Sequence, residues 1–373
     1  MVLYPWSQPI ITEYDSALVK AAVESTWVSG GSEIEKLNVN LVKFLDTPNV
    51  ALVNNGTSAL MACFQSLGIE PGDEVVVPAF GFMAAANILL QMKAVPVFSD
   101  VNNKTWCIDA DSIDKCVSKR TRAILITHSY GNSDNLEEIL RTNQEVWKVP
   151  IIEDAAEALG SRYQGRALGT LGDFGTFSFH ATKLITTGEG GAIAFRDFRL
   201  ADTMKLLISH GLNRTNHYVH QLPGLNYRMP NLCAALGNAQ FSRIDEFIQK
   251  RKYIDSLYRI RVSSMKNANL IAFQKLYSEE IVPWSFPIKL ANFTLDKQSV
   301  AAKLLIRRGI EIRPGFRSPN NLSYMKTHIE KADFPNSISL SSTIISLPAH
   351  PSIDEKAIDD ICDNLDLVME ELN

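Results

Sequence analysis

The sequence predicts an α/β protein with a mostly parallel central sheet and a smaller C-terminal α+β domain. Short β-branched apolar runs alternate with segments of helical length over the first half of the chain, as in sheets covered by helices on both faces. The chain has 373 residues, of which 46% are apolar and 21% charged, a globular composition long enough for roughly two to three domain cores. These observations exclude a disordered or fibrous protein.

The predicted strands of the large domain are runs rich in Val, Ile, Leu and Phe. They lie at 50–53, 74–78, 96–100, 123–127, 150–153, 176–179 and 191–195. A short connection separates the last two, which indicates a local hairpin or neighbouring strands of the same sheet. We expect the large α/β domain to span residues 1–240.

The second domain is expected at 241–373. Apolar residues recur at helical spacing from 229 to about 261, which predicts one long amphipathic helix linking the two domains. The smaller unit then follows as a strand at 281–288, a helix at 297–308, an extended piece at 310–313 and a closing helix at 355–371.

Charge and cysteine content narrow the function classes. A net charge of -4 gives no basic surface for nucleic acid. The five cysteines include no C-x-x-C pair, so we expect buried thiols in a reducing compartment and no metal site. The N-terminus does not resemble a signal peptide, and no apolar run reaches the ~20 residues of a membrane helix. We therefore expect a cytoplasmic protein without membrane contact.

Two segments place polar groups after predicted strands. In NVALVNNGTSAL, Gly56 makes the turn and a helix opens at Thr57, where unpaired N–H groups attract a phosphate. In VPIIEDAAEALG, Asp154 follows a strand, where a carboxylate can keep a pyridine nitrogen protonated. Taken alone, each segment is better explained as an ordinary turn or helix N-cap, so neither assigns a ligand site by itself.

The segment GDFGTFSFHATKLITTGEGGAI is the most informative part of the chain. Lys183 lies between strand residues and a glycine-rich stretch, a setting that a solvated surface lysine does not need. A desolvated lysine has a lowered pKa and is a competent nucleophile and base. Ser178 offers a hydroxyl to a phosphate. GEGG is not a dinucleotide fingerprint, because it does not follow a strand and open a helix at the required spacing.

The fourth segment is GLNYRMPNLCAAL, which precedes the predicted long helix. Asn226 and Arg228 would be loop residues in a monomer, but with the other segments they can complete an anion site across a subunit boundary.

These segments, with TWVSGG, EVVVPAFGFMAAAN, HSYGNSDNLEEI and ISLPAHPSI, occur in the order of a known family. Over nearly its whole length the chain resembles the DegT/DnrJ/EryC1/StrS sugar aminotransferases, which have the fold-type I architecture and use pyridoxal 5'-phosphate (PLP). The resemblance implies that Lys183 forms a Schiff base with PLP and that Asp154 pairs with its pyridine nitrogen. The other implied cofactor contacts are Gly56, Thr57, Ser178, the ring-stacking Phe82, Glu157 near the ring hydroxyl, and Asn226 from a second subunit.

The resemblance also implies the substrates and the assembly. L-Glutamate is the expected amino donor and a nucleotide-linked 4-keto-6-deoxy sugar the acceptor, aminated at C4, because residues 186–191 resemble the C4-aminating members. Shared active sites imply a homodimer. The implied substrate contacts are Trp27, Ser29, His180, Arg228 and Arg313. For His180 a packed core position is the alternative.

Three other functions are compatible with parts of the sequence. Related sugar 3-dehydratases carry histidine in place of the Schiff-base lysine, whereas this chain has Lys183. PLP-binding regulators carry a DNA-binding extension and a basic face, which this chain lacks. A Rossmann-type dehydrogenase requires G-x-G-x-x-G after the first strand, and that motif is missing.

Overall fold

A seven-stranded sheet forms the centre of the molecule. The computed structural model describes residues 2–212, 218–329 and 333–372. Its first nine strands are β1 (Asn49–Val53), β2 (Glu74–Pro78), β3 (Val95–Ser99), β4 (Thr121–Thr127), β5 (Ile151–Asp154), β6 (Arg162–Tyr163), β7 (Arg166–Ala167), β8 (Phe174–Ser178) and β9 (Gly191–Phe195). β6 and β7 pair with each other in a separate hairpin, and the other seven form the central sheet.

The strand order of the central sheet is β1-β9-β8-β5-β4-β2-β3. β9 runs antiparallel to its neighbours β1 and β8, whereas all other pairings are parallel. The predicted mostly parallel sheet is therefore confirmed, as is the pairing of the strands before and after residues 179–190. Because the strands are parallel, the carboxyl ends of β2, β4, β5 and β8 meet at one edge.

Helices cover both faces of this sheet. The helices are α1 (Glu13–Glu24), α2 (Ser32–Leu45), α3 (Gly56–Ser66), α4 (Ala84–Gln91), α5 (Ala110–Asp114), α6 (Leu136–Thr142), α7 (Ala201–Leu207), α8 (Asn231–Phe241), α9 (Ile244–Ser263), α10 (Leu295–Arg307), α11 (Pro335–Thr343) and α12 (Glu355–Leu372). Side chains alternate across a strand, so Val76 joins one apolar core with Leu37 of α2, whereas Val75 and Val77 join another with Leu60 of α3. Both faces of β2 are therefore buried, which is why Val75, Val76 and Val77 are all apolar.

The C-terminal part has its own sheet and core. Its strands are β10 (Ile271–Phe273), β11 (Phe286–Leu290), β12 (Arg313–Pro314) and β13 (Ile344–Leu347), all antiparallel in the order β10-β11-β13-β12. A third apolar cluster, which includes residues of α10 and α12, packs on it. The smaller α+β unit is thus confirmed, while the boundary at residues 240/241 stays a prediction. The N-terminal segment contacts this unit, since Tyr4 N–H donates to the Gly309 carbonyl at 2.9 Å.

Two expected elements were wrong in detail. The single helix over 229–261 is two helices, because Arg243 leaves the helical conformation (φ -115°, ψ 17°) and pairs with the fully buried Asp15 at 2.7 Å. The strand expected at 281–288 begins only at Phe286. The preceding residues contact the central sheet instead, where Trp284 N–H donates to the Tyr130 carbonyl at 3.0 Å.

The described residues contain no cluster of three or more His, Cys, Asp or Glu side chains that could hold a metal ion. Among the same residues, no helix combines the length and the apolar character needed to cross a bilayer. All five cysteines are free thiols, three of them buried, whereas Cys116 and Cys233 are only half-buried.

Candidate active site

Three neighbouring strands end at the edge of the sheet that carries the candidate site. Asp154 is the last residue of β5 and lies between Thr127, which ends β4, and Thr176 of β8. Ser178 ends β8. Ligands of open parallel sheets bind beyond the carboxyl ends of the strands, so this edge is the place where a ligand is expected.

The loop between β8 and β9 holds Lys183 in place through its own backbone. Lys183 N–H donates to the His180 carbonyl at 2.9 Å, and Thr187 N–H donates to the Phe179 carbonyl at 2.9 Å. The loop closes so tightly that a Cβ on Gly190 would lie 2.1 Å from Thr187 Oγ1. The glycine at this position is therefore a requirement of the loop that carries the lysine.

The Lys183 side chain points into a confined space and is only 14% exposed. Its Nζ lies 3.6 Å from Glu157 Oε1 and 3.9 Å from the centroid of the Trp284 ring. Burial lowers the pKa of Lys183, and the carboxylates of Glu157 and Asp154 offset part of this effect. A larger neutral fraction makes the amine a better nucleophile than a surface lysine.

Glu157 is held by an unusual turn after β4. Its Oε2 accepts a hydrogen bond from Tyr130 N–H at 2.8 Å. Tyr130 has φ +60°, in the left-handed region that few residues other than glycine adopt, and this conformation aims its N–H at the carboxylate. Burial raises the pKa of Glu157, and the Lys183 charge and this hydrogen bond oppose the rise. The carboxylate therefore lies beside the amine, while its expected contact to a ring hydroxyl stays a prediction.

Asp154 is 7% exposed and accepts a hydrogen bond from Ala156 N–H at 3.1 Å. Burial raises the pKa of Asp154, whereas the nearby Lys183 and His128 favour its ionised form. A cationic partner at this carboxylate would consequently be bound more strongly than in water.

A buried pair that the sequence analysis missed stands next to Asp154. His128 Nε2 lies 2.8 Å from Glu153 Oε2, and both side chains are at most 1% exposed. Three backbone N–H groups of the loop before β8 also donate to Glu153, at 2.6–2.8 Å. Burial alone would raise the pKa of Glu153, but these donors and His128 lower it. Successive strand residues point to opposite faces of the sheet, so the adjacent side chains of Glu153 and Asp154 have different neighbours.

The structure brings together Gly56, Thr57 and Ser178 at the start of α3. Asn55 caps this helix by accepting a hydrogen bond from Ser58 N–H at 2.7 Å, so the N–H groups of Gly56 and Thr57 remain without helical partners. A Cβ on Gly56 would lie 3.1 Å from Ser178 Cβ. The result is a narrow cradle of N–H groups and a hydroxyl at the positive end of a helix, suited to a phosphate.

Two predicted residues near this edge are exposed. Phe82, in the loop after β2, is 70% exposed. The His180 side chain is 46% exposed; its Nδ1 lies 3.0 Å from Thr182 Oγ1 and its Nε2 3.8 Å from Glu189 Oε1. The alternative of a packed core histidine is therefore wrong. His180 is available to a ligand.

The remaining predicted residues from the central part lie beside the edge strand β1. Arg228 forms a bridge to Val53, and its Nε donates to Asn226 Oδ1 at 3.2 Å. Ser29 and Arg228 line an open cleft of about 960 Å³ between α2, β1 and α7. Trp27 is 68% exposed. This group presents its side chains to the surface of the single chain.

Arg313 lies in the small sheet and reaches the lysine only through other side chains. Its Nη1 pairs with Glu311 Oε1 at 2.7 Å, and its guanidinium lies 5.5 Å from the Trp6 ring centroid. Trp6 packs edge-on against Trp284 at 5.3 Å between centroids. Two indole rings therefore connect Arg313 to Lys183.

Sequence reasoning missed two residues that support the lysine. Trp284 donates from Nε1 to the Thr182 carbonyl at 2.8 Å. Arg251 of α9 is 5% exposed and donates from Nη1 to the carbonyls of Trp284 and Ala349, both at 2.6 Å. Burial lowers the pKa of Arg251 to about 10. Nothing in the sequence of residues 281–288, where a strand was expected, indicated that Trp284 would contact the central part of the molecule.

The donor set at the sheet edge fits PLP part by part. A buried lysine amine with a lowered pKa suits its aldehyde, and a carboxylate at a strand end suits its ring nitrogen. The glycine-lined cradle at the start of α3 suits its phosphate, and an exposed phenyl ring is available to its ring face.

Known proteins match the chain over nearly its full length. The sequence profile of the DegT/DnrJ/EryC1/StrS aminotransferase family matches residues 9–366. GDP-perosamine synthase of Escherichia coli O157:H7 is 32% identical over 366 residues, covering 98% of each chain. The aminotransferase TlmJ from Streptoalloteichus hindustanus has a TM-score of 0.92 at 26% identity and covers 99% of this chain and 100% of its own.

The fold itself is shared more widely. The E. coli GDP-4-keto-6-deoxy-D-mannose-3-dehydratase with bound hydrated PLP has a TM-score of 0.89 at 20% identity, covering 98% of this chain and all of its own. The fold class and family that the motifs predict are both confirmed. The chain belongs to the DegT/DnrJ/EryC1/StrS aminotransferase family and is an aminotransferase that uses PLP as its cofactor.

Proposed function

We propose that the protein transfers the amino group of L-glutamate to C4 of a nucleotide-linked 4-keto-6-deoxy sugar. The observation that carries the transfer chemistry is Lys183, a buried amine with a lowered pKa beside Glu157 and Trp284. GDP-4-keto-6-deoxymannose is our first choice of acceptor, because the match to GDP-perosamine synthase extends over nearly the whole chain. UDP- and dTDP-linked 4-keto-6-deoxy sugars are the next candidates. The product would serve the synthesis of surface polysaccharide such as O-antigen.

We assign each residue at the sheet edge a separate role in such a reaction. PLP, when bound, supplies an electron sink for the carbon that gains or loses a proton. Lys183 holds the cofactor, and its released amine moves that proton as general base and acid. Asp154 keeps the proton on the ring nitrogen. The remaining cofactor contacts we propose are Gly56, Thr57 and Ser178 to the phosphate, Phe82 to the ring face and Glu157 to the ring hydroxyl.

The acceptor is proposed to bind on the exposed side of the site. His180 supports this assignment, since nearly half of its side chain is exposed two residues after Ser178. A carbonyl must come within about 3 Å of the attacking nitrogen, so residues 186–191 after the lysine help decide which sugar carbon reacts. The other substrate contacts we propose are Trp27, Ser29, Arg228 and Arg313.

We also infer a homodimer with shared active sites. Asn226 is exposed next to Arg228, and the cleft beside them is lined by both apolar and charged side chains of α2, β1 and α7. Exposed apolar surface of this kind is typical of protein interfaces, and two-fold dimers are the commonest assembly. In our proposal Asn226 of each subunit completes the phosphate site of the other. A cytoplasmic location stays a prediction.

A sugar dehydratase is the alternative from another class. The dehydratase neighbour shows that the fold accommodates both chemistries, so the fold does not choose between them. The amine of Lys183 favours aminotransfer, because the related 3-dehydratases carry histidine at this position.

The deciding experiment incubates the protein with PLP, L-glutamate and, in turn, the GDP-, UDP- and dTDP-linked 4-keto-6-deoxy sugars. NMR of the product then locates the new C–N bond. We expect an amine at C4 of the GDP sugar and one 2-oxoglutarate per turnover. An amine at C3, loss of a hydroxyl without amination, or turnover only with a nucleotide-free keto compound would contradict the proposal.

The lysine assignment has its own test. Borohydride reduction of the PLP-loaded protein, followed by peptide mapping, should place the adduct on Lys183, and Lys183→Ala should abolish both adduct and turnover. Lys266 is a matched control because it is an exposed lysine of the C-terminal part, paired with Glu370 at 3.2 Å. Lys266→Ala should leave both unchanged. An adduct on another lysine would show that the site is assigned wrongly.

A further inference from the structure

An aromatic ring that the proposed reaction does not use covers one side of the Lys183 amine. The Trp284 ring centroid lies 3.9 Å from Nζ, with the amine over the ring face. Glu157 Oε1 is 3.6 Å from the same nitrogen, longer than a normal hydrogen bond. The close neighbours of the amine are thus the π-face of Trp284 and the carboxylate of Glu157, which is too far away for a short hydrogen bond.

Trp284 is fixed by contacts from several parts of the chain. Its Nε1–H donates to the Thr182 carbonyl at 2.8 Å, and its carbonyl accepts from Arg251 at 2.6 Å. Its ring packs edge-on against Trp6 at 5.3 Å and lies nearly parallel to Tyr130, 22° apart at 6.3 Å. A ring held in this way cannot turn aside, so its position relative to Lys183 is set by the fold.

The contact distinguishes the two protonation states of the amine. An ammonium is attracted to the negative face of an indole, whereas a neutral amine is not, and the attraction grows when water is excluded. Burial acts in the opposite direction, since it disfavours the charged form. The ring therefore stabilises the ammonium without the tight ion pair that would keep the proton from leaving.

We propose that Trp284 is a positioning residue for Lys183: its face holds the ammonium that forms when the released amine accepts the proton, and its N–H fixes the turn that carries the lysine. The inference rests on the proposed role of Lys183 as the cofactor lysine. Proton transfer needs the amine to stay near the reacting carbon after it has left the cofactor. Trp284 and Glu157 provide a location for the amine during that interval.

The first test compares Trp284→Phe with Trp284→Met in the cofactor-free protein. Both variants lose the N–H donor and have similar bulk, but only Phe keeps a π-face. The pKa of Lys183 is measured from the pH dependence of its acylation, quantified by mass spectrometry. We expect a pKa about half a unit to one unit higher in the Phe variant. The same pair of substitutions at Trp6, which contacts Trp284, should give equal values.

Equal Lys183 pKa values in the Trp284→Phe and Trp284→Met variants would overturn the proposal. In the loaded enzyme, the Met variant should lose kcat with little change in KM for the sugar, because the ring acts on the lysine and not on the acceptor. An increase in KM alone would also contradict the proposed role, since it would indicate a substrate contact.

A second measurement leaves the amino-acid sequence unchanged, so it remains usable if the Trp284 variants do not fold. All five tryptophans can be replaced biosynthetically by mono- and difluorotryptophan. Fluorine weakens the negative face of the ring with little change in shape, so the pKa of Lys183 should fall stepwise with the number of fluorine atoms. A pKa that ignores fluorination would overturn the proposal. Both pKa measurements use cofactor-free protein, so a wrong function would appear instead as missing turnover or a misplaced borohydride adduct.

Discussion

The two sides of the candidate site differ in how far a single chain buries their side chains. The lysine side, defined by Lys183, Asp154 and Glu157, is buried, with exposed fractions of 14%, 7% and 8%. The open side, defined by Trp27, Ser29, Asn226 and Arg228, faces solvent and a cleft of about 960 Å³.

The difference in burial between the lysine side and the open side follows from the parts of the fold that supply their side chains. The lysine side is built at the carboxyl ends of central strands, and its buried carboxylates accept backbone hydrogen bonds from Ala156 and Tyr130. Buried polar groups need such partners, so this side is organised before any ligand binds. On the open side, the backbone of Asn226 bridges Ser209, but among the described residues its side chain accepts a hydrogen bond only from Arg228 of the same segment. We therefore expect the lysine side to govern chemistry and the open side to govern binding and assembly.

The largest expected effect comes from Asp154→Asn. The amide keeps the shape and the contact to Ala156 N–H but cannot hold a proton on the ring nitrogen, so we expect kcat to fall about a hundredfold or more. Thermal stability should stay the same or rise, because burial raises the pKa of Asp154 and an amide removes that cost.

Asp109→Asn is the matched control for this prediction. Asp109 is half-buried and caps α5 by accepting from Ser112 N–H at 2.9 Å, and asparagine caps helices equally well. It should leave both kcat and stability unchanged. A fully active Asp154→Asn enzyme would mean that the lysine side does not control the chemistry.

The next effect tests whether the open side needs a second chain. Asn226→Ala should weaken PLP binding tenfold or more, about the contribution of a hydrogen bond to a charged group. Mixed with Lys183→Ala protein, it should regain up to about a quarter of wild-type activity, because each heterodimer then has one intact site.

The control mixture pairs Lys183→Ala with Asp154→Asn. If both residues serve the site of their own chain, every heterodimer site lacks one of them and no activity returns. Recovery in this mixture, or a fully active monomer by light scattering, would contradict shared sites.

The sequence predicted the parts of the site that depend on local pattern. Lys183 was singled out by the glycine-rich stretch that follows it in the sequence. Asp154 and Gly56 lie where a strand ends, a pattern that an ordinary turn or helix N-cap explains better, so only the family resemblance assigned them to the cofactor. These assignments stay predictions.

The missed residues depend on contacts between distant segments. Trp284 reaches Lys183 from the other part of the molecule, 101 positions away by their numbers. His128 and Glu153 form a buried pair between neighbouring strands, and no periodicity distinguishes such a pair from separate surface residues. Arg243 likewise breaks the long helix because it pairs with Asp15. Propensity and periodicity are local, so they carry no information about these partners.

A smaller effect concerns the support of the lysine side. His350 is 4% exposed, and burial together with the nearby Arg251 lowers the pKa of His350 to about 4. The unfolded chain binds this proton near pH 6.5, so as pH falls from about 6.5 to 4 protonation favours the unfolded state. The loss of folding free energy at pH 5 is up to about 2 kcal/mol.

Urea unfolding at pH 7.5 and pH 5 measures this loss. His350→Asn keeps a polar atom for Ser352, which lies 2.8 Å from Nδ1, and should reduce the stability difference between the two pH values. The exposed His328→Asn is the control and should keep the wild-type difference. An unchanged difference in His350→Asn would mean that His350 is not the source of the pH dependence.

The smallest expected effect tests how closely the phosphate cradle is fitted. In Gly56→Ala the new Cβ would lie 3.1 Å from Ser178 Cβ, so the serine must move by a few tenths of an ångström. We expect PLP affinity to fall roughly fivefold, about 1 kcal/mol. Stability should not fall, because alanine favours helix over glycine by about 1 kcal/mol.

A double variant separates the steric cause from any other. Ser178→Gly removes the atom that the new methyl would meet, at the cost of the hydroxyl. If crowding against Ser178 is the cause, adding Gly56→Ala to Ser178→Gly should weaken PLP binding no further, a clear departure from additivity. Additive losses would show instead that Gly56 acts alone, through room for the ligand at the helix start. An unchanged affinity in Gly56→Ala would mean that the phosphate binds elsewhere and that the lysine side extends less far than the strand ends suggest.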